Sequence, residues 1–206
     1  MILIRPSSAL LIGAVRLLVG AYPRWVGSEP VNAPTIYFAN HTSHIDTVAL
    51  WSALPAEIRV RTHPVAALDY WGKGVKRYLA TRALKAVLID RARENREQDP
   101  LEPLMQVLGR GESLIIFPEG TRGSADVPQA FKSGLYHLAE RFPDVRLMPV
   151  YLENLHRSMP KGKSLPVPMI CMVRFGAPLA RVAGEGKAEF LERARAAVAD
   201  LARVKA

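Results

Sequence analysis

Cysteine is nearly absent: Cys171 stands alone in 206 residues. That excludes an intramolecular disulfide and any zinc site built on several thiolates. The residue lies in the apolar run Val167-Pro168-Met169-Ile170-Cys171-Met172-Val173 and reads as a buried, inert thiol. Acidic charge is also in deficit, with 19 Asp and Glu against 28 Lys and Arg and a net charge of +9. The surplus favours an anionic partner, such as lipid headgroups or a phosphorylated small molecule. The basic residues are scattered and spell no recognised nucleic-acid module, so nucleic acid is not expected among the partners. Repeats, low-complexity tracts and Ser/Gly linkers are missing, and 49% of residues are hydrophobic, which points to one folded α/β domain.

Missing too is a clean apolar run of the ~20 residues that a spanning helix needs. The nearest approach, Ala9 to Tyr22, is interrupted by Arg16 and preceded by Arg5. An arginine at mid-bilayer is costly, and no small-x-small cleavage site precedes Tyr22-Pro23. Residues 1–24 are therefore expected to form an interfacial helix. Arg5, Arg16 and Arg24 would reach anionic headgroups while leucines lie among acyl chains. The alternative is a terminal helix packed on the protein's own core. Residues 25–206 would make the α/β domain, held at the cytoplasmic face of an inner or plasma membrane.

What is present alternates. Strands are expected at Thr35–Ala39, Val60–Leu68, Ala86–Ile89, Ser113–Phe117, Val145–Tyr151 and Val167–Phe175. Helices are expected at Ile45–Leu54, Trp71–Thr81, Leu101–Leu108, Gly134–Arg141 and Lys187–Val204. Strands and helices in turn predict a single domain with a mostly parallel sheet flanked by helices. In such sheets function collects where strand ends meet helix starts.

Two blocks sit at such places. In Phe38-Ala39-Asn40-His41-Thr42-Ser43-His44-Ile45-Asp46, a histidine precedes an aspartate by five residues. On one continuous helix these two would be about 140° apart. They meet only if His41 lies in the turn after the strand and Asp46 in the first helical turn. Asp46 would then orient one ring nitrogen and leave the other to take a proton from a hydroxyl. The plainer reading makes Asn40, Ser43 or Asp46 a helix cap and His41 a turn histidine. His41, His44 and Asp46 also spell H-x-x-H-x-D, which could ligate a metal, but His63, His137 and His156 offer no ligand spacing to complete it.

The second block, Phe117-Pro118-Glu119-Gly120-Thr121-Arg122, begins ~75 residues on and ends another apolar run. Arg122 offers a planar fork for a phosphate. Gly120 lets a ligand approach the main chain, and Glu119 could hold Arg122 or bond a substrate hydroxyl. Its plain alternative is a strand-end turn with a surface Glu–Arg pair. Downstream, Lys132 adds a cation at a helix start.

Asn40-His41-x4-Asp46 and Phe117-Pro118-Glu119-Gly120-Thr121-Arg122 resemble the first and third motifs of the glycerolipid acyltransferases, typified by the 1-acylglycerol-3-phosphate O-acyltransferases. Val87-Leu88-Ile89-Asp90-Arg91 resembles their second motif and Met148-Pro149-Val150 their fourth, in the same order. The resemblance implies transfer of an acyl group from a thioester, acyl-CoA or acyl carrier protein, to a lysophospholipid or glycerolipid hydroxyl. His41 would be the base and Asp46 its orienter. Glu119, Gly120, Thr121 and Arg122 would bind the acceptor, with Arg91 a further phosphate ligand. No metal, resident cofactor or covalent acyl-enzyme is implied. One departure stands out: members that use lysophosphatidic acid commonly carry a lysine before the second motif, where this chain reads Ala67-Leu68-Asp69-Tyr70-Trp71. An acidic Asp69 disfavours a phosphate there, so Lys73 or Arg77 would substitute, or the acceptor is another lysolipid.

Overall fold

Strand β2, Thr35–Ala39, is buried along its whole length, as is β5, Ser113–Ile116. Short apolar runs of this kind, bounded by turn residues, make strands covered on both faces. The computed structural model of the chain describes Gly13 and residues 21–43, 45–71, 74–90, 99–123, 127–153 and 171–204. The expected N-terminal helix, His44, Lys73 and Arg91 lie outside the described residues, as does the start of the strand expected from Val167.

Seven strands form one sheet in the order β1-β7-β6-β2-β5-β3-β4. The others are β1 (Tyr22–Trp25), β3 (Thr62–Ala67), β4 (Val87–Ile89), β6 (Arg146–Glu153) and β7 (Met172–Phe175). Every pairing is parallel except β6 with β7. The mostly parallel sheet is therefore as expected.

Side chains alternate across β2, so Tyr37 and Ala39 face one core cluster and Ile36 and Phe38 the other. Helix α1, Asp46–Ala53, covers the first face through Ala49, Leu50, Trp51 and Ala53. Its neighbour α2 is a single turn, Ala56–Arg59. Helices α5 (Glu102–Gly109), α6 (Gly134–Arg141) and α7 (Lys187–Ala202) cover the second face. On α7 the stripe Phe190, Ala194, Val198 and Leu201 is buried, each large side chain contributing roughly 2 kcal/mol.

Two expectations need correction. Residues 22–24, grouped with the N-terminal helix, belong to β1, which pairs with β7 at the sheet edge. An edge tolerates Pro23, and Trp25 stacks on Phe175 with ring centroids 4.2 Å apart. The single helix expected over Trp71–Thr81 is instead α3 (Leu68–Trp71), α4 (Gly74–Tyr78) and a π-helical turn, Leu79–Ala83. Gly74 has φ +56°, outside the helical region, at the start of α4.

The topology positions the site. After β2 the chain crosses to β3 on one side; after β5 it crosses past β2 to β6 on the other. The carboxyl ends of β2 and β5 therefore flank the point where strand order reverses, where open α/β sheets bind ligands. Phe38 is in register with Ile116. Three residues further along each strand come His41 and Glu119, which leave the sheet at the same level.

Candidate active site

Asn40, buried after β2, behaves as one more rung of the sheet. Its side-chain Nδ2 donates to Leu152 O at 3.2 Å and its Oδ1 accepts Leu152 N–H at 2.8 Å. The chain then turns through residues 41–43 before α1. Asp46 is fully buried in the first turn of that helix. Its Oδ2 accepts three N–H groups: Thr42 at 2.6 Å, Ser43 at 2.8 Å and His41 Nδ1 at 2.9 Å. A buried carboxylate is tolerable only with such donors around it. Asp46 thus holds both the turn before α1 and the imidazole, whereas no side chain caps the start of α1 itself.

Because Nδ1 faces a carboxylate, it carries the proton in neutral His41, and Nε2 holds the lone pair. Phe117 stacks on the ring with centroids 4.3 Å apart and planes 22° apart. The imidazole retains 21% of its exposure, on a wall of a cavity of about 1010 Å³. The imidazole is gripped at one nitrogen and along one face.

The turn after β5 completes the grip. Glu119 is buried, and its Oε1 accepts His41 N–H at 2.8 Å while Oε2 accepts Gln129 N–H at 3.2 Å. His41 O in turn accepts Gly123 N–H at 2.8 Å. Both backbone polar groups of the histidine are therefore held by residues 119–123. This adds a role to those expected of Glu119: its two oxygens accept backbone amides on either side of the site. Burial raises the Glu119 pKa above the ordinary carboxylate range, and the two N–H donors pull it back only in part.

Gly120 has φ +71°. A Cβ there would lie 2.6 Å from Lys132 Nζ and 2.9 Å from its Cδ, so the lysine side chain runs across the glycine. Lys132 N–H also donates to Pro118 O at 2.8 Å, which ties the start of α6 to the same turn. Thr121, Arg122 and Lys132 are exposed and, with Gly120 and His41, line the cavity. Its walls include the apolar Val65, Ile89, Leu104, Met105, Ile116 and Leu138.

The structure thus brings together His41, Asp46, Glu119, Gly120, Thr121, Arg122 and Lys132. Arg91 lies outside the described residues, as does His44, on which the metal reading depends. Cys171 is wholly buried, as its apolar run implied. Sequence reasoning missed the stacking of Phe117, the backbone role of Glu119 and the amides of Gly123 and Gln129. Only strand register could have found them.

The mostly parallel sheet thus carries a carboxylate-held histidine after β2 and an arginine-bearing turn after β5, side by side on one cavity. The family model described as Acyltransferase matches residues 23–153, more than half of the chain, and the chain belongs to that family. It is 31% identical to a Dictyostelium discoideum protein named taffazin over 69% of this chain and 53% of that one. It is 29% identical to a Limnanthes alba 1-acyl-sn-glycerol-3-phosphate acyltransferase over 81% of this chain and 58% of that one. The chain thus spans between about half and three-fifths of the length of these curated relatives. In fold it is similar to the crystal structure of the Thermotoga maritima 1-acyl-sn-glycerophosphate acyltransferase PlsC, with TM-score 0.72 and 20% identity, covering 97% of this chain and 78% of that one.

Proposed function

We propose that this chain transfers a fatty acyl group from a thioester, acyl-CoA or acyl carrier protein, to a hydroxyl of a lysophospholipid or related glycerolipid. The observation that carries the reading is the clamp on His41. Asp46 holds one ring nitrogen, residues 119–123 hold the backbone, and the remaining face opens on a cavity that Arg122 and Lys132 also line. The family, and relatives named for acyl transfer to 1-acyl-sn-glycerol-3-phosphate, support the same substrate class.

The chemistry follows from the pair. The acceptor hydroxyl gives its proton to His41 Nε2 as its oxygen attacks the thioester carbonyl carbon. The tetrahedral adduct collapses, the C–S bond breaks, and the imidazolium returns the proton to the departing thiolate. The products are an ester and a free thiol. Asp46 stabilises the imidazolium formed between the two steps. Arg122 binds the acceptor's anionic headgroup, because a guanidinium offers two parallel N–H bonds to phosphate. No covalent acyl-enzyme is needed.

In this reading the reaction occurs at a membrane face, with the residues before β1 supplying apolar contact and the +9 surplus drawing the domain to anionic lipid. Among the described residues no helix is long and apolar enough to cross a membrane. The test is incubation with labelled acyl-CoA and acyl carrier protein against a panel of lysolipids and glycerol phosphates, with products read by mass. An acceptor heavier by one acyl group is expected. Lipid binding without consumption of any thioester would replace the proposal with a non-catalytic lipid-binding module.

A further inference from the structure

Several arginines of this fold are occupied by protein groups. Arg59 bonds the carbonyls of Ser52 and Leu54 at the end of α1. Arg174 holds the last carbonyls of α7 and Glu153, and Arg181 bonds the carbonyls of Ala139, Phe142 and Pro143 at the end of α6. Lys132, His137 and Arg141 differ. All three are exposed and line the His41 cavity, and no described residue forms a hydrogen bond or ion pair with their side chains.

Their order along the chain is informative. Ser133, His137 and Arg141 all line the cavity at spacings of four, so they recur on one face of α6. The helix starts beside the catalytic turns, with Lys132 tied to Pro118 and laid across Gly120. From Ser133 to Arg141 it rises about 12 Å. These basic side chains therefore form a rail that begins at the site and leads away from it. Asp90 and Asp99 also line the cavity, but Asp99 Oδ1 is occupied by Leu101 N–H at 2.9 Å in the turn before α5.

We propose that this rail, Lys132, His137 and Arg141, binds the phosphates of the thioester donor while its carbonyl lies at His41. The assignment rests on the acyl-transfer reading above. A lysolipid phosphate stands only a few bonds from the hydroxyl that reacts, so it is served at Arg122. A cation at the far end of α6 is out of its reach. The donor has the opposite shape, with an uncharged pantetheine arm separating the reacting carbonyl from its phosphates. Cations at a distance from the base match the donor.

The experiment compares acyl-CoA, acyl-4′-phosphopantetheine and acyl-pantetheine as donors for the wild type, Arg141→Glu and the milder Arg141→Ser, with thermal melting as a check on folding. The KM for acyl-CoA should rise about tenfold or more in Arg141→Glu, the equivalent of a lost charge-assisted contact, with kcat held within about twofold. The KM for acyl-pantetheine, which has no phosphate, should not move. A rise shared by acyl-4′-phosphopantetheine assigns the rail to the 4′-phosphate, and a rise confined to acyl-CoA assigns it to the nucleotide phosphates; either supports the proposal. An equal rise for acyl-pantetheine, a rise only for the acceptor, or no change in either folded variant overturns it. Failure of the wild type to consume any of the three donors would instead sink the acyl-transfer reading itself.

Discussion

At the amino ends of β3 and β5, His63 Nδ1 lies 2.9 Å from Lys85 O and its Nε2 3.2 Å from Glu112, which also pairs with Arg110. Arg61, exposed beside them, donates to Gly111 O. At the carboxyl ends of β2 and β5, Asp46 and Glu119 are buried, and between them they accept five N–H groups. The same parallel pairing builds both ends, yet they do different things. Ion pairs near the surface contribute about 0–1 kcal/mol each and leave nothing poised. Buried carboxylates that accept N–H groups hold His41 by its ring and by its backbone, on the wall of a cavity.

That contrast can be broken in graded steps. Asp46→Asn keeps an acceptor for the backbone N–H groups but removes the charge that stabilises the imidazolium. It should lower kcat about 10²-fold with little change in KM for either substrate, read by thioester consumption. Glu119→Gln should cost about tenfold in kcat, because an amide can accept one N–H but presents a donor to the other. A change in acceptor KM alone would restore Glu119 to the substrate and undo the contrast.

The same variant carries a pH signature. Burial raises the Glu119 pKa, so the folded protein keeps that proton to higher pH than the unfolded chain. Wild-type stability relative to Glu119→Gln should therefore fall as pH rises from about 4 through the raised value and be flat above it, measured by melting both proteins across that range. The smallest effect is expected at the opposite end of the sheet. His63→Gln or Glu112→Gln should shift stability by about 1 kcal/mol or less and leave kcat unchanged. A large loss of activity there would show that the two ends are not functionally distinct.

The parts of this structure that were legible in sequence are those set by local pattern. The runs at Thr35–Ala39 and Ser113–Phe117 are apolar between turn residues, and Gly134–Arg141 begins and ends where the helix does. The His41–Asp46 pair was legible because both members lie in one turn. Strand β1 was not, since Tyr22-Pro23-Arg24-Trp25 looks like a strand only once β7, far along the chain, lies beside it. The bond from His41 N–H to Glu119 was hidden for a related reason. It joins residues 78 apart through a register that no local pattern encodes. The bond from Glu119 to the backbone of His41 therefore could not be read from either block alone.

All of this depends on His41 being the group that takes the proton. Purified His41→Ala, shown by melting to be folded, should be assayed for thioester consumption with the best acceptor. A loss of about 10³-fold or more in kcat is expected for removal of a general base, with acceptor binding retained. A folded variant that turns over within tenfold of the wild type would contradict the account.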